Sequence, residues 1–495
     1  MSEREPIARD QPLLPPEIWG LVLPSLSRTD QRSCLSVCTT FRDLARALLF
    51  SRVVIRFGMW WKARDVRFSA SDLDVMKRRF AVSREVLQHI ARDASFARLI
   101  RTISVRACDA TLEWSHSDDF QNIINALKAT PNLQSFQWYG SGPHLPSSVL
   151  DALTKTCGST VSELDISGVL ASDEDASQYL AQFQNLQTLS LAGNFLHSRI
   201  SGAHSTMIET CIENAPDTIR RLSVWGDSVW ATPLHLLSRL QELSLITPES
   251  LDGLGAVFAH CAQLRSLDIV TDSVECEPQM RAAFEAAPAD VLPHLMSFKF
   301  ICRGPDAGIE DWGPFAAFLR GRHGMRRLDL EFNAFFEDVD DYARFLDIFA
   351  ALPQLEVVGL ALDGGLRVFT WEHLRLLDAG LPSRTSALLL TWAFMELDDA
   401  MHMHDWAAML GKRPSLGYVH ILDGVDTLDL RDALRLDRPR ALELVGYGDH
   451  VCNIGRDRET GDAVYAPRWG QEAIGFGTEV EFGCADWAWL LRSHD

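Results

Sequence analysis

Several chemistries are excluded by what the chain lacks. No apolar run approaches the roughly 20 residues a membrane-crossing helix needs. No two cysteines stand in a C-x-x-C spacing, and there is no Asn-x-Ser/Thr sequon. The phosphate-cradling Gly-x-x-x-x-Gly-Lys-Ser/Thr loop, the Gly-x-Ser-x-Gly nucleophile elbow and the His-Glu-x-x-His zinc pair are all missing. Basic residues are scarce. The formal charge is −20, which disfavours a general binder of nucleic-acid backbone and a surface that docks on anionic membranes. The first 60 residues hold eight arginines, no lysine and six acids, so the excess of acid falls on the rest of the chain.

Apolar residues make up 47% of the 495, enough for a large core. The ten cysteines are scattered, mostly in apolar settings such as Ser33-Cys34-Leu35 and Thr210-Cys211-Ile212. They read as free buried thiols, the state expected in a reducing cytoplasm or nucleus. The opening Met1-Ser2-Glu3-Arg4-Glu5 has no apolar stretch and does not read as a signal peptide.

Residues 1–11 are polar and expected to be disordered. Leu14-Pro15-Pro16-Glu17-Ile18-Trp19 then opens a helix, with proline and an acid suited to its first turn. Ile18, Trp19, Val22, Leu23 and Leu26 follow at helical spacing. Ser27-Arg28-Thr29-Asp30 is a polar break in which Thr29 or Asp30 can cap a second helix. Leu35, Val37, Cys38, Phe41, Leu44 and Leu48 continue the apolar pattern into a third. Such a unit is too small to be very stable alone, and an exposed apolar face on it points to a partner.

Three segments in order, Leu14-Pro15-Pro16-Glu17-Ile18, Val22-Leu23-Pro24-Ser25-Leu26 and Val37-Cys38-Thr39-Thr40-Phe41-Arg42-Asp43-Leu44, resemble the F-box family. Pro24 and the polar Gln31-Arg32-Ser33 depart from its usual pattern. The resemblance implies docking on the Skp adaptor of an SCF-type cullin–RING ubiquitin ligase, with Leu14, Pro15, Ile18, Val22 and Leu26 as the apolar contacts. The bland reading is an N-terminal helical cap on a repeat array.

From residue 50 one motif recurs: apolar, two spacers, apolar, one spacer, apolar. Examples are Ile100/Ile103/Val105, Leu133/Phe136/Trp138, Leu186/Leu189/Leu191, Leu264/Leu267/Ile269, Met325/Leu328/Leu330 and Leu416/Val419/Ile421, with Leu442/Val445/Tyr447 as a possible last member. The starts between 100 and 416 lie about 29 residues apart, the upper edge of a leucine-rich period. Between them stand helix faces such as Phe120/Ile123/Ile124/Leu127 and Tyr342/Phe345/Leu346/Phe349. Prolines 131, 216, 293, 353, 382 and 414 precede the next motif by two or three residues, stopping each helix. The longer gap from Ile55 to Ile100 is expected to hold a helix around Val82–Ile90. The turn asparagine usual in leucine-rich repeats survives as Asn194 and Asn333.

The expected fold is therefore α/β: an N-terminal three-helix F-box followed by a leucine-rich-repeat solenoid, a parallel sheet inside and helices outside. The expected borders are 12–52 for the F-box, 53–445 for the repeats and 446–495 for a C-terminal cap that contains Trp469, Trp487 and Trp489. A non-solenoid α/β fold is the alternative. Spacer residues of each motif alternate to the sheet's other face. Tyr139, Arg221, Trp225, Arg327, Asp329, Glu331 and Tyr418 are expected there as substrate contacts, since aromatics and arginine favour protein-binding surfaces. His402, His404 and Asp405 read as a solvated loop rather than a metal site, and Glu337–Asp341 as an acidic helix start. No catalytic constellation, metal or cofactor is expected. The function expected is that of a non-catalytic substrate receptor in a ubiquitin ligase, bound to the Skp adaptor and a protein substrate. A leucine-rich scaffold or inhibitor with an F-box-like cap is the alternative.

Overall fold

Pro15 and Pro16 set the entry to the first helix, Pro16–Val22, with Glu17 in its first turn. Pro24 cannot continue that helix, and the chain tightens into a 3-10 turn at Leu23–Ser25. The second helix, Arg28–Cys34, begins one residue earlier than its expected caps, so Thr29 and Asp30 lie in its first turn, where acid is favoured. Cys38 caps the third helix, Thr39–Leu49, its Sγ accepting from the Phe41 amide at 3.5 Å. Leu23, Cys34 and Ala45 form a small core with Leu26, Phe41, Leu44 and Leu48 against it. The Gln31 amide donates to the Leu23 and Leu26 carbonyls at 3.1 Å, tying the second helix to the turn.

The structure is a computed structural model that describes residues 15–491 except 27, 59–69, 109–116, 171–177, 192–200, 215–217, 234–236, 274, 289, 303–307, 310–312, 335–337, 362–367, 393–395, 398–401, 424–429, 437, 449, 458 and 478–481. The disordered start expected at 1–11, Leu14, Asn194 and Glu337 lie outside the described residues. By internal contacts the chain divides into two units, one holding the described residues up to Leu186 and the other those from Gln187 onward.

After the three helices, the first unit contains four parallel strands: β1 (Arg52–Gly58), β2 (Thr102–Cys108), β3 (Ser135–Leu145) and β4 (Glu163–Leu170). Helices Ala70–Arg92, Ser117–Ala129 and Ser147–Cys157 connect them. The motif residues align in register. Ile55 pairs with Val105, Val105 with Trp138, and Trp138 with Ile166. All four are buried, and each such side chain contributes roughly 1.5–3 kcal/mol relative to exposure.

The second unit repeats the scheme. Its strands are β5 (Thr188–Leu191), β6 (Arg221–Trp225), β7 (Glu242–Ile246), β8 (Ser266–Thr271), β9 (Ser297–Cys302), β10 (Gly308–Ile309), β11 (Arg327–Ala334), β12 (Val357–Ala361), β13 (Val368–Phe369), β14 (Ala387–Trp392), β15 (Glu396–Leu397), β16 (Tyr418–Asp423), β17 (Leu444–Tyr447), β18 (His450–Arg456) and β19 (Ala463–Tyr465). A parallel ladder runs β5, β6, β7, β8, β9, β11, β12, β14, β16, β17, and β18 then turns back antiparallel on β17. Leu267, Phe298, Leu328, Val358, Leu388, Val419 and Val445 stand side by side along it.

Helix Val339–Ala350 shows why each crossover forms. Asp338 caps it by accepting from the Asp341 amide at 2.9 Å, and Tyr342, Phe345, Leu346 and Phe349 are buried on one face. Pro353 follows, and Leu355 re-enters the core. On the preceding helices Phe258, Phe284 and Phe318 stack, with Phe284 and Phe318 centroids 4.3 Å apart, over Phe298 from the sheet.

Candidate functional site

The first helix buries none of its residues. Trp19 lies half-buried against Phe41, centroids 4.8 Å apart, which fixes the helix's inner face. The outer face is left apolar and bare: Ile18 is 41% exposed, Leu21 76% and Val22 36%. Pro15 is exposed at the helix start, and Val37, before the third helix, is 65% exposed. Leu26 turns inward onto the small core instead, so of the described adaptor-contact residues it is the one not on this face. Leu21 is an addition to the expected set. Its signal is present in the sequence, because positions 18, 21 and 22 follow the i, i+3, i+4 rule of one helix face.

In the first unit the sheet face opposite the crossover helices carries Gln137, whose amide meets Glu163 at 3.2 Å, and Tyr139, whose hydroxyl donates to Asp165 at 2.9 Å. In the second unit Arg221 and Glu242 form an exposed ion pair at 3.2 Å. Trp225 is half-buried beside Ile246 on the next strand.

Further along the ladder the expected wet face is covered by the chain's own C-terminal segment. The tail packs Ile474, Phe482, Ala488, Leu490 and Leu491 onto Val357, Ala387, Leu389, Tyr418, Leu444 and Val451, with Trp469, Trp487 and Trp489 around them. The helix Ala485–Leu491 carries the polar contacts. Asp486 accepts from Arg326 and from Arg327, each at 2.8 Å. Lys299 donates to the Trp489 carbonyl at 2.6 Å and lies 4.7 Å from its ring centre. Beneath, Lys299 pairs with Asp329 at 3.1 Å, the two side chains 1% and 0% exposed. The Trp489 indole reaches Asp268 at 3.4 Å.

These placements correct the expected contact set. Asp329 and Tyr418 are fully buried, and Arg327 is engaged by Asp486. Glu331 is half-buried on the same strand as Arg327 and Asp329. The Tyr418 hydroxyl meets His420 Nδ1 at 2.8 Å, while His420 Nε2 lies 2.7 Å from the Gly448 carbonyl. A carbonyl only accepts, so Nε2 carries a proton, and in the neutral ring Nδ1 accepts from Tyr418. The imidazole ring occupies the space where a side chain on Gly446 would stand.

Electrostatics follow from this cover. Burial pushes the Asp268 carboxyl up to about 6, against the lowering influence of Lys299. Burial also opposes ionisation of Asp486, yet the hydrogen bonds and charges of Arg326 and Arg327 outweigh it and hold that carboxyl below its usual range. Elsewhere burial pushes Cys157 to about 11 and Cys211 and Cys261 to about 12, so these thiols stay protonated and are poor nucleophiles at neutral pH. The Asp405 carboxylate accepts from the His402 amide at 3.0 Å as part of a helix cap. Among the described residues no three His, Cys, Asp or Glu side chains gather closely enough to hold a metal.

The fold defines a strand-and-helix repeat protein of mixed α/β class with a mostly parallel sheet, as the leucine-rich spacing predicts. No family model matches the chain, and no curated protein matches it. Among solved structures it is similar to a chain of the Rad7–Elc1 complex in yeast, at 15% identity over 82% of this chain and 95% of that one, TM-score 0.45. It is also similar to TLR13 in complex with ssRNA13, at 12% identity over 70% and 48%, TM-score 0.37. The leucine-rich repeat domain of APL1B aligns at 14% identity over 77% and 86%, TM-score 0.22. At these values none bears on function, and the fold rests on the strand ladder itself.

Proposed function

We propose that this chain is the substrate-recognition subunit of an SCF-type cullin–RING ubiquitin ligase, acting in the cytoplasm or nucleus. Residues 12–52 serve as an F-box that docks the Skp adaptor, and the leucine-rich repeats hold a protein substrate. The chain catalyses nothing itself. It raises the effective concentration of substrate lysines near the ubiquitin-loaded enzyme. The observation that carries this reading is the bare apolar face of Ile18, Leu21 and Val22, on a helix none of whose residues is fully buried. A few such anchors pressed into a groove dominate helix-in-groove binding.

Co-purification of the full chain with a Skp adaptor tests it. The wild type captures the adaptor, and Ile18→Asp with Leu21→Asp abolishes capture, because two carboxylates would be desolvated in the groove. A folded wild-type chain that captures no adaptor overturns the reading. A second reading, a non-catalytic scaffold or inhibitor with no ligase role, is favoured by the tail that covers much of the second unit's sheet face. Ubiquitin transfer in a reconstituted ligase separates the two.

A further inference from the structure

The helix Ala485–Leu491 is bound to the sheet in the way a partner would be. Among the described residues, no hydrogen bond between main chain and main chain joins it to the strands. Side chains make the attachment: a carboxylate between two arginines, an indole against a lysine, and a second indole 6.0 Å from the Tyr418 ring. Trp, Tyr and Arg are the residue types that concentrate energy at interfaces. Beside the apolar residues of the floor lies a charged part that a core would not carry. Asp268, Lys299 and Asp329 lie side by side on three adjacent strands, and covering such a row costs desolvation that a wet face would not incur. The next residue in the row is Gly359, where any side chain would collide with the Asp329 carboxylate and meet Leu490. The row is thus shaped for an incoming helix and charged beneath it.

We propose that the sheet face of β8 to β16 is a docking groove for a partner's short helical segment bearing a carboxylate followed by aromatic residues one and three positions on, and that Asp486-Trp487-Ala488-Trp489 occupies it as a built-in competitor. The partner's carboxylate takes the place of Asp486 between Arg326 and Arg327, and its second aromatic takes the place of Trp489 over Lys299. This deepens the reading of the repeats as the substrate-binding part, and its test needs no adaptor, so the two fail separately.

The probe is a fluorescent peptide with the sequence of residues 482–491, added to the full chain. A chain whose own tail is loosened by Asp486→Lys and Trp489→Ala, its floor intact, binds the peptide about tenfold or more tightly than wild type does, since removing a resident competitor raises apparent affinity by the fraction freed. Adding Arg326→Glu and Arg327→Glu to that chain abolishes binding. A peptide with lysine in place of its aspartate does not bind. A folded, loosened chain that binds no peptide, or binds the lysine and scrambled peptides equally well, overturns the proposal. Hydrogen exchange on the wild type provides a measurement independent of any variant's folding. Amides of Ala488–Leu491 should exchange about a hundredfold faster than those of Val339–Ala350, through local opening of the tail alone. Equal protection of the two helices makes the tail a fixed part of the core and overturns the proposal as well.

Discussion

Arg413 is a charged residue committed deeply to the fold. Its side chain is 2% exposed, and its guanidinium binds the Asp378 carboxylate at 3.0 Å, the Asp378 carbonyl at 2.7 Å and the Leu381 carbonyl at 3.2 Å, besides the Met409 carbonyl. It ties the end of one crossover helix to the end of the preceding one. Arg413→Ala strips these carbonyls of a charged donor while Lys412 still reaches the Asp378 carboxylate, and lowers stability by roughly 3 kcal/mol, and Arg413→Lys recovers only part because an ammonium cannot span the fork. Urea unfolding of the three proteins measures both. Asp268 behaves oppositely. Its carboxyl rises from 3.8 to about 6 in the fold, where Lys299, Asp329, the Trp489 indole and Ser266 face it. The folded chain therefore holds that proton more tightly than the unfolded chain does. Stability falls as pH rises from about 4 through about 6, and the penalty is complete above that. Asp268→Asn should raise the melting temperature at about pH 7.5, with the gain shrinking through the acid range towards zero at or below about pH 4. A gain that is the same at both pH values contradicts this account.

At the scale of elements, the strands and crossovers are legible in the sequence because their signals are local. The L-x-x-L-x-L residues alternate into the core, and Tyr342, Phe345, Leu346 and Phe349 lie one helical turn apart. Helix Ala70–Arg92 likewise lies where Val82–Ile90 points. Alternation identifies which side of a strand a residue occupies, but not which distant segment covers that side. Tyr418 and Asp329 therefore read as wet in the sequence and are dry in the fold. The contacts that dry the sheet face span 160 residues from Arg326 to Asp486 and 190 from Lys299 to Trp489. Three tryptophans near the chain's end are their only trace in the sequence. The first helix shows a subtler miss. The family pattern draws attention to Leu26, which packs inward, whereas plain helical periodicity places Leu21 beside Ile18 and Val22. Since Ile18 and Leu21 bury little within the chain, Ile18→Asp with Leu21→Asp should change folding stability by less than about 0.5 kcal/mol. Thermal melting checks this, and a larger loss would mean that the face is already packed against the protein itself.

At the scale of the whole molecule, the two proposed binding faces belong to different contact units, the bare helix to the first and the covered sheet to the second. Substitutions at separated sites with no shared partners act independently. Arg326→Glu with Arg327→Glu should therefore leave adaptor capture unchanged, and Ile18→Asp with Leu21→Asp should leave binding of the tail peptide unchanged. A receptor that works by proximity nevertheless needs both faces at once, because neither contact alone brings a lysine to the ubiquitin-loaded enzyme. In a reconstituted ligase, a substrate fused to the acidic–aromatic segment should be modified only when both faces are intact. Loss of either should reduce transfer to the adaptor-free background, and loss of both should reduce it no further. Transfer that survives loss of the arginine pair would place substrate binding elsewhere on the repeats. The next face to alter would then be that of β6 and β7, where the Arg221–Glu242 ion pair is exposed to solvent and Trp225 lies half-buried on the same strand as Arg221.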